Sequence, residues 1–169
     1  MPEPPACNAS PLIVLARAGH LDLLQAVYGS VVVPGGVADE VLRGPGRDPA
    51  VVALQTELWL ERTPVGEIPL GVAAWDLGAG EAEVLTWALG HPECEAVLDD
   101  RAGRRCARAL GIPYRGTLGV VLLAKKRGVI PAARPIIEAL RRVGLYVSPE
   151  LQEQALSLVG EQSGLERER

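Results

Sequence analysis

Apolar positions follow two rhythms along this chain. Short aliphatic runs such as Val31-Val32-Val33 and Ala96-Val97-Leu98 alternate with longer stretches in which apolar residues recur every three or four positions. The first rhythm is that of strands buried on both faces, the second that of amphipathic helices. A brief first strand ends near Cys7. Ser10 and Pro11 then read as the cap and first turn of a helix over 12–18, with a second helical piece over 21–28. Strand 31–33 stops at Pro34 and is followed by a helix over 37–42, a Gly/Pro loop over 44–49 and a helix over 50–58. An edge strand is predicted around 60–65, and 66–77 reads as loop. Helix 81–89, strand 96–98, helix 102–110 and a short strand at 113–115 complete the alternation. Helices over 117–127, 132–143 and 150–159 close the chain, the last with Leu151, Ala155, Leu158 and Val159 on one face. Strands alternating with helices in this way predict a parallel sheet covered on both sides.

Composition narrows the picture. The chain has 169 residues, 48% of them hydrophobic, enough for one domain over 1–160 with a core that needs no disulfide or metal staple. The polar end, 161–169, reads as a flexible tail. Aromatics make up 4% and Phe is absent, so stacking platforms for single-stranded bases are scarce and Trp59, Trp75 and Trp87 read as packing residues. Seventeen basic against twenty-one acidic residues leave a net charge of -4, which argues against coating nucleic acid by bulk charge. Any phosphate contact must be local. Cys7, Cys94 and Cys106 are odd in number and widely spaced, which predicts free buried thiols in a reducing cytoplasm. No apolar run approaches the ~20 residues of a membrane span, so no membrane partner is expected.

In an open parallel sheet the ligand crevice lies at the carboxyl ends of the strands. The residues there are Asn8, Ser10, Glu40 one helical turn on, and the adjacent pair Asp99 and Asp100. Asn8 has an ordinary role open to it as a cap or turn residue, and Glu40 as a solvated acid beside Asp39. Glu81 and Glu83 open a helix, where acids also favour the positive end of the dipole. Two adjacent acids after a buried strand need water, a capping role or a cation. Arg101, Arg104, Arg105 and Arg108 follow at i, i+3, i+4 and i+7 and so form one stripe of the helix that starts at those acids. Arginine grips phosphate in bidentate fashion. Clustered carboxylates raise one another's pKa unless a divalent cation neutralises them, and such a cation hydrolyses phosphodiesters with no protein nucleophile. Other chemistries lack their residues. Gly78-Ala79-Gly80 lacks the third glycine of a dinucleotide loop, there is no P-loop lysine, and His20 and His91 are too isolated for a metal triad. No Gly-x-Ser-x-Gly elbow presents Ser10 as a nucleophile.

These stretches carry a resemblance. Asn8-Ala9-Ser10-Pro11-Leu12-Ile13, Val37-Ala38-Asp39-Glu40-Val41, Gly78-Ala79-Gly80-Glu81-Ala82-Glu83 and Leu98-Asp99-Asp100-Arg101, with Gly116-Thr117-Leu118-Gly119 and Lys125-Lys126-Arg127-Gly128, occur in order over about 7–145. The series resembles the PIN-domain-like family, in the prokaryotic domain-of-unknown-function branch similar to VapC-type toxin ribonucleases. The resemblance implies a three-layer α/β/α sandwich and an Mg²⁺- or Mn²⁺-dependent endoribonuclease site. By it, Glu40, Glu81 and Asp99 form the acidic cluster with Asp100 as the alternative or supporting acid, and Asn8 joins them as a metal ligand. Ser10, Thr117, Arg101, Arg104 and Arg105 contact the RNA. The family typically has Asp where this chain has Asn8, which leaves a second reading open: a catalytically weakened module that binds nucleic acid or protein. A small antitoxin protein is the implied partner if the chain is a toxin. A homodimer is expected, with helices 21–28 and 151–159 offering its seam.

Overall fold

The computed structural model describes residues 3–161. Among these, the β-branched run at Val31 gives β2 (Val31–Pro34), flanked in one parallel sheet by β1 (Ala6–Cys7) and β3 (Leu60–Thr63). The sheet is extended beyond β1 by β4 (Ala96–Val97) and β5 (Tyr114–Arg115), so the order is β3-β2-β1-β4-β5. Every residue of β1, β2 and β4 is buried. Because successive side chains point to opposite faces, helices must cover both sides. They do so as a three-layer α/β/α sandwich, as the alternation predicted.

The first half carries α1 (Ala9–Arg17), α2 (Asp22–Tyr28), α3 (Gly35–Leu42), α4 (Pro49–Thr56) and α5 (Leu70–Ala73). The second half carries α6 (Ala79–Gly90), α7 (Arg101–Ala109), α8 (Thr117–Lys126), α9 (Arg134–Arg142) and α10 (Pro149–Leu158). Leucine, valine, isoleucine and alanine build one apolar core, on which Trp59, Trp75 and Trp87 pack half-buried. The three cysteines are free and buried. Among the described residues no helix is long and apolar enough to cross a membrane.

Four details differ from the sequence pattern. First, α1 starts at Ala9 with Asn8 in the N-cap position, so Ser10 and Pro11 lie inside the first turn. Proline is tolerated there because its missing N–H falls among groups that have no intrahelical partner. Second, the stretch 66–77 is not all loop: Pro69 opens the single turn of α5. Third, α10 buries Gln152, Ala155 and Leu156, and leaves Leu151 and Leu158 46% and 71% exposed. Fourth, Glu161 does not begin a loose tail, because its carboxylate accepts from the backbone N–H groups of Ala133 and Arg134. The rest of that expected tail, 162–169, lies outside the described residues. The apolar side of α2, expected at a dimer seam, is turned inward: Leu23, Leu24 and Val27 are buried, and α2 packs on α8.

Candidate active site

The chain leaves β1 toward β2 on one side and β4 toward β5 on the other, so the carboxyl ends of β1 and β4 flank the topological switch point. Open α/β sheets bind ligands in the crevice at this place. Asn8 and the segment Leu98-Asp99-Asp100 occupy it. The Asn8 N–H donates to the Val97 carbonyl at 2.9 Å, extending the β1–β4 ladder one residue past the strand. Asn8 is only 9% exposed, yet its side chain makes none of the capping bonds that an N-cap asparagine ordinarily makes. The cap role does not account for it.

Asp100 is the N-cap of α7. Its Oδ2 accepts from the N–H groups of Ala102 at 2.8 Å and Gly103 at 3.1 Å. Glu81 reaches the same place from the first turn of α6. Its approach depends on Gly103: a Cβ there would stand 2.6 Å from Glu81 Oε1 and 2.9 Å from Leu98 Cδ1. In the notch so formed, Glu81 Oε1 is buried and finds no hydrogen-bond donor among the described residues. Burial, then the charge of Asp100 and a hydrogen bond shared with it, then the charge of Glu40, push the Glu81 carboxyl up to about 7. Glu40 itself is exposed on α3. The spacing of α3 and α6 is fixed by Glu83, whose Oε2 accepts from the Gly36 N–H at 2.6 Å at the start of α3. Gly80 assists, since a Cβ there would meet Val37 Cγ2 at 3.0 Å.

Asp99 faces elsewhere. Its Oδ1 accepts from the Thr117 N–H at 2.7 Å and its Oδ2 from the Thr117 hydroxyl at 2.6 Å, and Arg104 Nη2 lies 3.5 Å from Oδ1. Arg104 also donates through Nε to the Leu98 carbonyl at 3.3 Å. Gly116 leaves room for this arrangement, since a Cβ there would run into the Arg104 guanidinium and stand 2.9 Å from Asp99 Oδ1. Thr117 is fully buried. Asp99 therefore ties the end of β4 to the start of α8, and its charge bears on the buried Cys7 thiol, which is raised chiefly by burial. Of the sequence-predicted acids, the structure pairs Glu81 with Asp100, leaves Glu40 exposed on α3 with its charge still felt at Glu81, and directs Asp99 to Thr117 and Arg104. Ser10 is exposed in the first turn of α1. Arg101 and Arg105 are exposed and, among the described residues, make no side-chain hydrogen bond or ion pair, whereas Arg108 donates to the Tyr114 hydroxyl at 2.8 Å.

Two contributors, and the role of a third, escaped the sequence reading. Gly103 and Gly116 matter through the side chain they lack, and Glu83 through a backbone N–H forty-seven residues away. A glycine inside the strongly polar turns of α7 was the available signal, because glycine in a helix interior costs stability unless something must come close.

A family model described as DUF3368, PIN domain, matches residues 5–161. The chain belongs to the PIN-domain family. Searches among curated proteins and among solved structures returned no match. PIN domains are nucleases as a class, so the crevice between β1 and β4 belongs to a nuclease fold, and PIN nucleases usually use divalent metals.

Among the described residues no three His, Cys, Asp or Glu side chains are gathered into a ready-made metal cage. The donors on hand are oxygens: the Glu81 and Asp100 carboxylates, Glu40 exposed on α3, and the Asn8 amide at the switch point. Hard oxygen donors of this kind suit Mg²⁺ or Mn²⁺, and Mg²⁺ keeps several waters and is commonly held by one or two carboxylates plus substrate phosphate. By donor chemistry alone, these oxygens suit a hydrated divalent cation.

Proposed function

We propose that this PIN domain is an endoribonuclease that hydrolyses RNA phosphodiester bonds with Mg²⁺ or Mn²⁺. The observation that carries this reading is Glu81: a half-buried carboxylate at the switch point of a nuclease fold, crowded by the charges of Asp100 and Glu40, with one oxygen that has no donor among the described residues. Glu81 and Asp100 hold the ion in this reading, with Glu40 supporting and the Asn8 amide oxygen as a neutral ligand. A bound divalent cation supplies charge neutralisation of the phosphate and a water acidic enough for in-line attack. The chain's own groups do the rest. Arg101, next to Asp100 and exposed, takes a phosphate of the RNA chain. Asp99 holds no substrate; through Thr117 it fixes α8 against β4, so that the crevice keeps its shape. Arg104 is tied to Asp99, and the RNA contact expected of it passes to Arg101 and to the exposed hydroxyl of Ser10. The role as the toxin of a toxin–antitoxin pair follows from the likeness to VapC-type toxins. It is checked by asking whether expression arrests growth and whether a short adjacent reading frame relieves the arrest.

Asn8 supports a second reading, in which cleavage is weakened and binding is kept, because one carboxylate of the usual set is replaced by an amide. One experiment separates the two. The unaltered chain and Asn8→Asp are incubated with labelled single-stranded RNA in Mn²⁺ and in EDTA, with Glu81→Gln as control. Metal-dependent cleavage by the unaltered chain that Glu81→Gln abolishes supports the nuclease. Cleavage only after Asn8→Asp supports the weakened module. RNA cleavage unaffected by Glu81→Gln refutes both.

A further inference from the structure

Beyond the acid pocket, α7, α8, α10 and the turn between α9 and α10 enclose a groove of about 880 Å³. One wall is basic: Arg101, Arg104, Arg105 and Arg108 line it, against a single carboxylate, Asp99, already committed to Thr117. The opposite wall is aliphatic, built from Leu118 and Leu122 of α8 and from Leu151 and Leu158 of α10, with Tyr146 at the rim. Tyr146 is 91% exposed and Leu158 71% exposed, although α10 had other faces on which to place polar residues. On a chain of net charge -4 this is a concentrated positive patch beside an apolar one that no described residue covers.

From this pairing we infer that the groove docks an amphipathic helical segment of another protein, with an aliphatic stripe against α8 and α10 and acidic residues along the edge that meets α7. Charge complementarity sets the sign of that edge: among the described residues Arg105 has no partner and Arg108 meets a neutral hydroxyl, while Arg101 lies at the end nearer the acid pocket. The aliphatic wall selects a protein over a nucleic acid, since bases bind by stacking on aromatic faces and Tyr146 is the lone aromatic in the lining. The ten residues of α10 span about 15 Å. That length matches the i, i+3/i+4, i+7 anchors of a helix laid in a groove. Binding is read without catalysis, so the inference stands or falls apart from the nuclease reading.

The test selects binders of the full chain from a displayed library of amphipathic helical peptides in which the flanking positions vary between Glu and Lys. The expected winners carry glutamate along one flank, and their affinity falls tenfold or more in both Arg105→Glu and Leu158→Asp. Both positions are exposed, and circular dichroism checks that each variant stays folded. A single-stranded oligonucleotide is titrated in parallel, and oligomeric state is followed by light scattering. Winners without acidic enrichment, or winners indifferent to both substitutions, overturn the inference. So does oligonucleotide binding that both substitutions remove while no peptide is selected, which assigns the groove to nucleic acid. A dimer that Leu158→Asp converts to monomer assigns it to a second copy of this chain and overturns it too.

Discussion

Glu81→Gln measures the frustration at the centre of the site. The native Glu81 carboxyl is raised from 4.5 to about 7, so between those two values the folded chain holds a proton that the unfolded chain has released. The folded state then binds more protons than the unfolded one, and stability must fall as pH rises through this window. Full conversion of the shift amounts to roughly 3 kcal/mol. Glu81 is partly open to solvent, and screening reduces the figure to about 1–2 kcal/mol. Glutamine is neutral at every pH, and its amide N–H can donate to Asp100. Urea unfolding of the two proteins from pH 4.5 to 8 is therefore expected to show near-equal stability at the acid end. The variant gains about 1–2 kcal/mol over the unaltered chain at the alkaline end. Adding MnCl₂ at pH 8 is expected to stabilise the unaltered chain by about 2–3 kcal/mol at a hundredfold excess over Kd, and the variant much less. A difference between the two that does not change with pH refutes the crowded-carboxylate account. Equal stabilisation of both by Mn²⁺ puts the ion somewhere other than Glu81.

Gly103→Ala is expected to lower stability, because the added methyl meets Glu81 Oε1 and the fully buried Leu98; overpacking of about 1–3 kcal/mol outweighs the gain of up to ~1 kcal/mol in helix propensity. Thermal unfolding and Mn²⁺ titration check it, and a variant that melts higher with unchanged affinity refutes the notch. Thr117→Val leaves Asp99 Oδ2 without its hydroxyl donor and is expected to cost about 1–3 kcal/mol in urea unfolding, while Thr117→Ser recovers most of it; an equal loss in both would mean that packing, not the hydrogen bond, matters. Arg101→Ala is expected to weaken binding of uncleavable RNA and to reduce the slope of log affinity against log salt by about 1, with stability within ~0.5 kcal/mol of the unaltered chain. An unchanged salt slope removes Arg101 from the phosphate path.

Most elements were legible because the turn chemistry was strong. Pro34, the Gly/Pro stretch at 44–49 and the β-branched run before Pro34 mark their boundaries by local sterics alone, and the structure departs from them by one or two residues. The failures were tertiary. The α5 turn has only Pro69 as a local signal. The buried face of α10 is Gln152, Ala155 and Leu156 rather than the more apolar Leu151, Ala155, Leu158 and Val159. Helical periodicity allowed both, and Gln152 is kept inside by accepting from Arg141 Nη1 at 2.8 Å. Such a partner cannot be read from spacing.

The acid pair after β4 shows why a site is harder to read than its fold. The sequence put Asp99 and Asp100 at the right place, since both follow a buried strand at the switch point, but adjacent residues there can turn to opposite sides. Which one faced the crevice was decided by space left elsewhere: Gly116 admits Asp99 toward Thr117, and Gly103 admits Glu81 toward Asp100. One aspartate is fully satisfied by N–H, O–H and guanidinium donors; the other gives one oxygen to the start of α7 and shares the crevice with Glu81. Among the described residues, Glu81 Oε1 is the buried side-chain polar atom that lacks a partner. A chain selected for stability alone would have supplied a donor or removed the carboxylate, as it did around Asp99. A local rule broken in this way at the carboxyl edge of a parallel sheet is the kind of departure expected at a functional site, and it is the ground on which a cation is proposed there.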